Sequence, residues 1–255
     1  MPSFDHDGFK LAYIDERPAS GRGDPVLLIH GFASSLQVNW VAPGWVKTLT
    51  EAGYRVVAID NRGHGNSSAS YEEGDYTPTK MAADAAALLD HLDIGRSHVM
   101  GYSMGARVTA FMALEHPKRV ATAVLGGLGI GLVDGVGDWD PIASALRAED
   151  PQAIEHPLGK RFRAFADQTK SDREALAACI VGSRPLMSAA EVSRISQPVL
   201  IAVGTTDDIA GAPGPLAALL PDAEVFAIEG RDHMLSVGDR TFKKRVLEFY
   251  RDHPL

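Results

Sequence analysis

The sequence predicts an α/β protein: a mostly parallel sheet flanked by helices, with one helical insertion. Three observations carry this reading. Continuous apolar runs of strand length alternate with stretches whose apolar residues recur at helical spacing, as in βαβ units. Residues 127–197 break that alternation with helical patterns alone. A serine fenced by glycines, Gly101-Tyr102-Ser103-Met104-Gly105, stands where an apolar run meets a helical one.

The 255 residues fit one α/β core with an insertion. A composition of 45% hydrophobic and 23% charged residues is that of a globular chain, neither fibrous nor disordered. A formal charge of -8 argues against a nucleic-acid partner, which would need concentrated Lys and Arg. Cys179 is the only cysteine, so no intramolecular disulfide can form. The opening residues lack a basic region followed by an apolar one, and no apolar run approaches the roughly 20 residues of a membrane span. The expectation is a cytoplasmic protein with no membrane span.

The elements follow in chain order. Two short strands around Gly8 form an opening hairpin. Pro25 to His30 is a buried strand that stops at glycine, and Tyr54 to Asp60 is another. Thr77 followed by Pro78 starts a helix that carries Met81, Ala85, Leu88, Leu89 and Leu92 and closes at Gly95. "HVMGY" is a strand, and a helix from Ser103 carries Val108, Phe111, Met112 and Leu114 up to His116-Pro117. "VATAVLGG" is the next strand. A Gly-rich entry, "GGLGIGLVDGVGDW", then leads into helical stretches such as "KRFRAFADQ" and "DREALAACIV". Two further strands, Pro198 to Gly204 and Ala223 to Gly230, precede a last helix over "RTFKKRVLEFY".

Ligands of an open parallel sheet lie beyond the carboxyl ends of its strands. That edge collects His30-Gly31-Phe32, Asp60, Ser103, Gly126-Gly127, Asp207-Asp208 and His233. Ser103 occupies a G-x-S-x-G pattern between strand and helix. A sharp turn there exposes the serine oxygen, and large side chains two residues to either side would collide with the turn. No pair of the nine histidines has metal-ligand spacing, so neither metal nor cofactor is expected.

"HGFASS", "DNRGHGNSS", "GYSMG", "GTTDD" and "GRDHM" together make the chain resemble an α/β-hydrolase-fold protein of the capped, esterase-like kind, over essentially its whole length. The resemblance implies an eight-stranded, mostly parallel sheet, residues 1–126 and 198–255, with a helical cap, 127–197, inserted after the sixth strand. It implies Ser103 as nucleophile, His233 as base and Asp207 as the acid that orients it, with Asp208 as the alternative. The implied oxyanion donors are the backbone N–H groups of Phe32 and Met104. The loop Asp60 to Ser67 is then structural, so Arg62 and His64 take no catalytic role. Ala106 departs from the second glycine that such motifs often carry.

Serine at the turn points to acyl chemistry, since dehalogenases and epoxide hydrolases resembling this chain attack with aspartate. The expected reaction is hydrolysis of a carboxylic ester through an acyl-enzyme; a cofactor-free haloperoxidase or perhydrolase, a lactonase and a carbon–carbon bond hydrolase are the alternatives. A non-catalytic receptor on the same scaffold is a further class, disfavoured by an intact Ser103, Asp207 and His233. Trp40, Trp45, Trp139, Leu128, Ile130, Leu132, Leu158, Phe162 and Phe165 offer a mainly apolar pocket for a small-molecule acyl substrate. Lys160, Arg161 and Arg163 read as a solvated helix face.

Overall fold

Apolar runs covered on both faces must lie in the middle of a layered fold. In the computed structural model, which describes residues 1–255, they do. Eight strands form one sheet: β1 (Ser3–His6), β2 (Phe9–Glu16), β3 (Pro25–Ile29), β4 (Arg55–Ile59), β5 (Ser97–Tyr102), β6 (Val120–Gly126), β7 (Val199–Gly204) and β8 (Ala223–Ile228). The spatial order is β1-β2-β4-β3-β5-β6-β7-β8, antiparallel at β1–β2 and β2–β4 and parallel elsewhere. From β3 the chain moves outward to β4 and then returns to the other side of β3 as β5. The crevice beyond the ends of β3 and β5 is therefore the topological switch point, where ligands of such sheets bind.

Strand periodicity divides the core into two layers. Leu27 and Ile29 of β3 face one layer with α2 (Pro78–His91) and α3 (Met104–Glu115). Val26 and Leu28 face the other, with α1 (Trp45–Glu51) and α10 (Arg240–Asp252). Trp40 and Trp45 are fully buried in this second layer beside Phe242 and line neither cavity that borders Ser103. Their expected place in a substrate cavity is thus corrected.

Between β6 and β7 lie α4 (Gly131–Asp134), α5 (Asp140–Arg147), α6 (Pro157–Thr169), α7 (Arg173–Gly182) and α8 (Ala189–Val192), with no strand. Leu132, Ile142, Leu146, Phe162 and Leu176 of these helices belong to the same apolar cluster as Val99 and Leu125 of the sheet. The helical segment and the core thus share one packed interior. Arg163, expected on a solvated face, is 5% exposed, because its guanidinium turns inward to the carbonyls of Ala145 and Ala148 and to Asp167. Lys160 and Arg161 are exposed.

Two boundaries differ from the sequence reading. The helix expected to close at Gly95 ends at His91, because Asp93 takes the left-handed turn at φ 54. β8 is an edge strand whose Glu224, Val225 and Ala227 are exposed; an apolar run alone does not reveal that one neighbour is missing. A short helix, α9 (Pro213–Ala217), joins β7 to β8.

The loop after β4 is anchored by a buried ion pair. Arg62 is 0% exposed, and its Nε and Nη2 donate to the two oxygens of Asp84 on α2 at 2.7 and 2.6 Å. Arg62→Met would leave the buried Asp84 carboxylate without its guanidinium. Loss of one partner of such a pair costs about 3–5 kcal/mol, which a urea titration at neutral pH will show as a lower midpoint at unchanged slope.

Candidate active site

The site is built around a strained turn. Ser103 sits at φ 55 and ψ -113, a conformation that costs an L-residue free energy and persists only where the surroundings impose it. The flanking glycines supply that imposition through their lack of side chains. A Cβ on Gly101 would lie 2.0 Å from the carbonyl oxygen of Gly105, and one on Gly105 would lie 2.0 Å from that of Ile29. Only glycine lets α3 start this close to β3 and β5. Ala106 is fully buried at the next position, so its methyl group is accommodated.

Ser103 Oγ lies 2.9 Å from His233 Nε2, and His233 Nδ1 lies 2.8 Å from Asp207 Oδ2. The Nδ1 proton donates to the carboxylate, which leaves Nε2 as acceptor for the serine hydroxyl. Asp207 Oδ1 accepts the N–H groups of Ile209 and Ala210, both at 2.9 Å. Burial alone would raise the Asp207 pKa; the His233 hydrogen bond and charge, with those two N–H groups, outweigh it and hold the carboxyl below its ordinary value. Asp208 is exposed. The Tyr102 hydroxyl donates to the carbonyl of His233 at 2.5 Å, fixing the loop that carries the imidazole.

Phe32 and Met104 border the same cavity as Ser103. Met104 opens α3, where the N–H has no intrahelical acceptor, and the Phe32 N–H makes no backbone hydrogen bond. The loop carrying Phe32 is clamped from behind. Gly31 N–H donates to Asn39 Oδ1 at 2.7 Å, and Ala33 N–H donates to His64 Nε2 at 3.2 Å. His64 Nδ1 in turn donates to Arg62 O at 2.9 Å. His30 Nδ1 donates to Gly31 O at 2.8 Å while its Nε2 accepts Asn61 N–H at 3.0 Å. His30 and His64 are thus structural clamps, each with one nitrogen donating and one accepting.

A cavity of about 360 Å³ opens beside Ser103, walled by Leu128, Val136, Trp139, Phe162, Ile180 and Leu186. Of the residues expected there, Trp139, Leu128 and Phe162 line it. Phe165 instead borders a smaller cavity of about 50 Å³ on the His233 side of Ser103. Leu132 is buried in the core, and Ile130 and Leu158 pack against it. Sequence reasoning missed Arg107, which borders the larger cavity, and Asn39. Arg107 follows Ser103 by four residues, in the first turn of the helix that Ser103 caps, and that nearness was its signal. Asn39 carried no such signal. No group of three or more His, Cys, Asp or Glu could hold a metal ion, and no helix is long and apolar enough to cross a membrane.

This eight-stranded sheet with a serine at the β5–α3 turn defines an α/β hydrolase. A family model of the alpha/beta hydrolase fold matches residues 24–166, and the chain belongs to that family. It is 31% identical to a non-heme chloroperoxidase of Streptomyces lividans, over 96% of this chain and 97% of that protein. It is 28% identical to the dihydrolipoyllysine-residue acetyltransferase component of the acetoin cleaving system of Pseudomonas putida, covering 91% of this chain but 64% of that longer protein. The crystal structure of a hydrolase from Pseudomonas aeruginosa PA01 superposes with a TM-score of 0.80 at 28% identity, over 97% of each chain.

The clamping histidines make stability depend on pH. Burial holds His30 down to about 4; burial and then the neighbouring His30 charge hold His64 down to about 3. Below their ordinary 6.5, the unfolded chain takes up protons that the folded one refuses, so stability falls on acidification from there toward about 4. Each histidine contributes a slope of about 1.4 kcal/mol per pH unit in that window. His98, held down to about 4 mainly by burial, adds the same slope. Urea midpoints at pH 7, 6 and 5 will fall accordingly, and His64→Gln will remove about a third of this histidine dependence.

Proposed function

We propose that the protein hydrolyses carboxylic esters through an acyl-enzyme on Ser103. One observation carries the reading: the hydrogen-bonded series from Ser103 Oγ through His233 to the ionised Asp207, at the mouth of an apolar cavity. In the first step Oγ attacks the ester carbonyl carbon and its proton passes to His233 Nε2. The carbonyl oxygen becomes an oxyanion, for which the N–H groups of Phe32 and Met104 are the proposed donors. Collapse breaks the bond to the alcohol oxygen, which takes the proton from His233. Water then repeats the sequence on the acyl-enzyme, releasing the acid and restoring the Ser103 hydroxyl.

The two cavities support an orientation for the substrate. His233 must protonate the leaving group, and it borders the cavity of about 50 Å³ but not that of about 360 Å³. The alcohol therefore belongs in the small cavity and the acyl group in the large one. Short-alcohol esters of larger acids fit this arrangement.

A second reading rests on the similarity to the Streptomyces lividans non-heme chloroperoxidase. Hydrogen peroxide would replace water in attacking the acyl-enzyme. The released peracid would then oxidise bromide to hypobromous acid and revert to the carboxylate. Peroxide-dependent bromination that outpaces ester hydrolysis would favour this reading.

For the ester reading, a fluorophosphonate probe will label the wild type and spare Ser103→Ala; equal labelling of both overturns it. Asp207→Asn will lower kcat by about 10³ to 10⁴ by supporting the wrong tautomer. Asp208→Asn will leave kcat within about twofold, as expected of a surface change away from the reacting groups. Both are read with a methyl ester, by titrating the released acid at fixed pH.

A further inference from the structure

The protein buries three arginines, and two of them hold a carboxylate: Arg62 pairs with Asp84 and Arg163 with Asp167. Arg107 is 7% exposed and differs. Its partners are all backbone carbonyls: Nη2 donates to Gly131 O at 2.9 Å, and Nη1 to Pro185 O at 3.1 Å and Leu132 O at 3.4 Å. Those carbonyls orient the guanidinium but leave its charge unneutralised in a poorly solvated place, which is costly. Burial lowers its pKa to about 10, which still leaves it cationic at neutral pH.

Arg107 also borders the larger cavity together with Ser103. Arg107 lies in the first turn of α3, and its N–H donates to the Ser103 carbonyl at 3.1 Å. Arg184, the other cation there, is already paired with Asp140 at 2.6 Å. Asp134 is the one carboxylate on the cavity wall, and it is exposed, where water and salt weaken its field.

We propose that Arg107 receives a carboxylate carried on the acyl part of the substrate, so that the favoured esters are half-esters of dicarboxylic acids with a small alcohol. The proposal rests on the ester-hydrolase reading. The anion lies on the acyl half, because Arg107 borders the acyl cavity and His233 the leaving-group cavity. One guanidinium matches one carboxylate in charge and shape, whereas a phosphate dianion would call for further cations. A purely structural Arg107, tying both ends of the helical segment to α3, would confer no preference for charged esters.

The test compares kcat/KM for the monomethyl esters of succinate, glutarate and adipate with that for the corresponding amide-terminated methyl esters, at neutral pH. The wild type will favour the carboxylate member of at least one pair by about tenfold or more, mainly through KM. R107Q will bring that ratio to about one, and R107K will retain part of it. Because both esters are measured on one preparation, a partly unfolded variant does not distort the ratio. A wild-type ratio near one at every length, or an R107Q ratio equal to that of the wild type, overturns the proposal. Unselective turnover leaves the ester reading standing and removes this one, and no turnover of any of the six esters removes both. If R107Q does not fold, the wild-type and R107K ratios decide.

Discussion

The site depends on how closely one helix approaches two strands. α3 begins so near β3 that no side chain fits at Gly105, and so near its own preceding strand that none fits at Gly101. That contact holds Ser103 in a backbone conformation it would not keep alone. It also points the free N–H groups of the helix start toward the end of β3, where the Phe32 loop begins. Ser103 and the proposed oxyanion donors are thus positioned by backbone packing.

Buried polar groups then stabilise a loop structure that backbone pairing alone would not hold. Asp60 and Asp207 are both buried carboxylates at strand ends, yet their ionisation is shifted in opposite directions. Burial raises the Asp60 pKa, only partly opposed by the N–H groups of Asn66 and Leu36. At Asp207 the imidazole of His233 reverses the balance and favours the anion. The first carboxylate ties loops together; the second is kept charged where it can orient and stabilise an imidazolium. His30 and His64 follow the same division, with burial keeping them neutral and hydrogen bonds using both nitrogens as clamps. Three histidines gather near one serine, and only His233 directs a nitrogen at its hydroxyl.

The helical segment sets the scale of the chemistry. Because its apolar residues join the core cluster of the sheet, its inner face is packed as part of the core. Phe162 packs its ring 5.4 Å from that of Phe32, so the segment also braces the loop bearing the proposed oxyanion donor. The cavity is consequently mainly apolar, with Arg107 as its one unpaired buried charge.

The sequence by itself determined the strands, the order of the long helices, and the serine turn, because each rests on a local period or a short steric motif. Apolar runs covered on both faces cannot be solvated, and G-x-S-x-G leaves few backbone solutions between a strand and a helix. Only the tertiary structure shows which of Asp207 and Asp208 meets His233. Neighbours in sequence point in different directions, and the direction depends on where β7 delivers its final turn. It likewise moved Trp40 and Trp45 to the far layer and turned Arg163 inward, since apolarity and charge give no side of the sheet and no depth. Which charges lack a partner is also a property of the assembled fold. A buried arginine looks the same in sequence whether a carboxylate faces it, as for Arg62, or an open cavity does, as for Arg107.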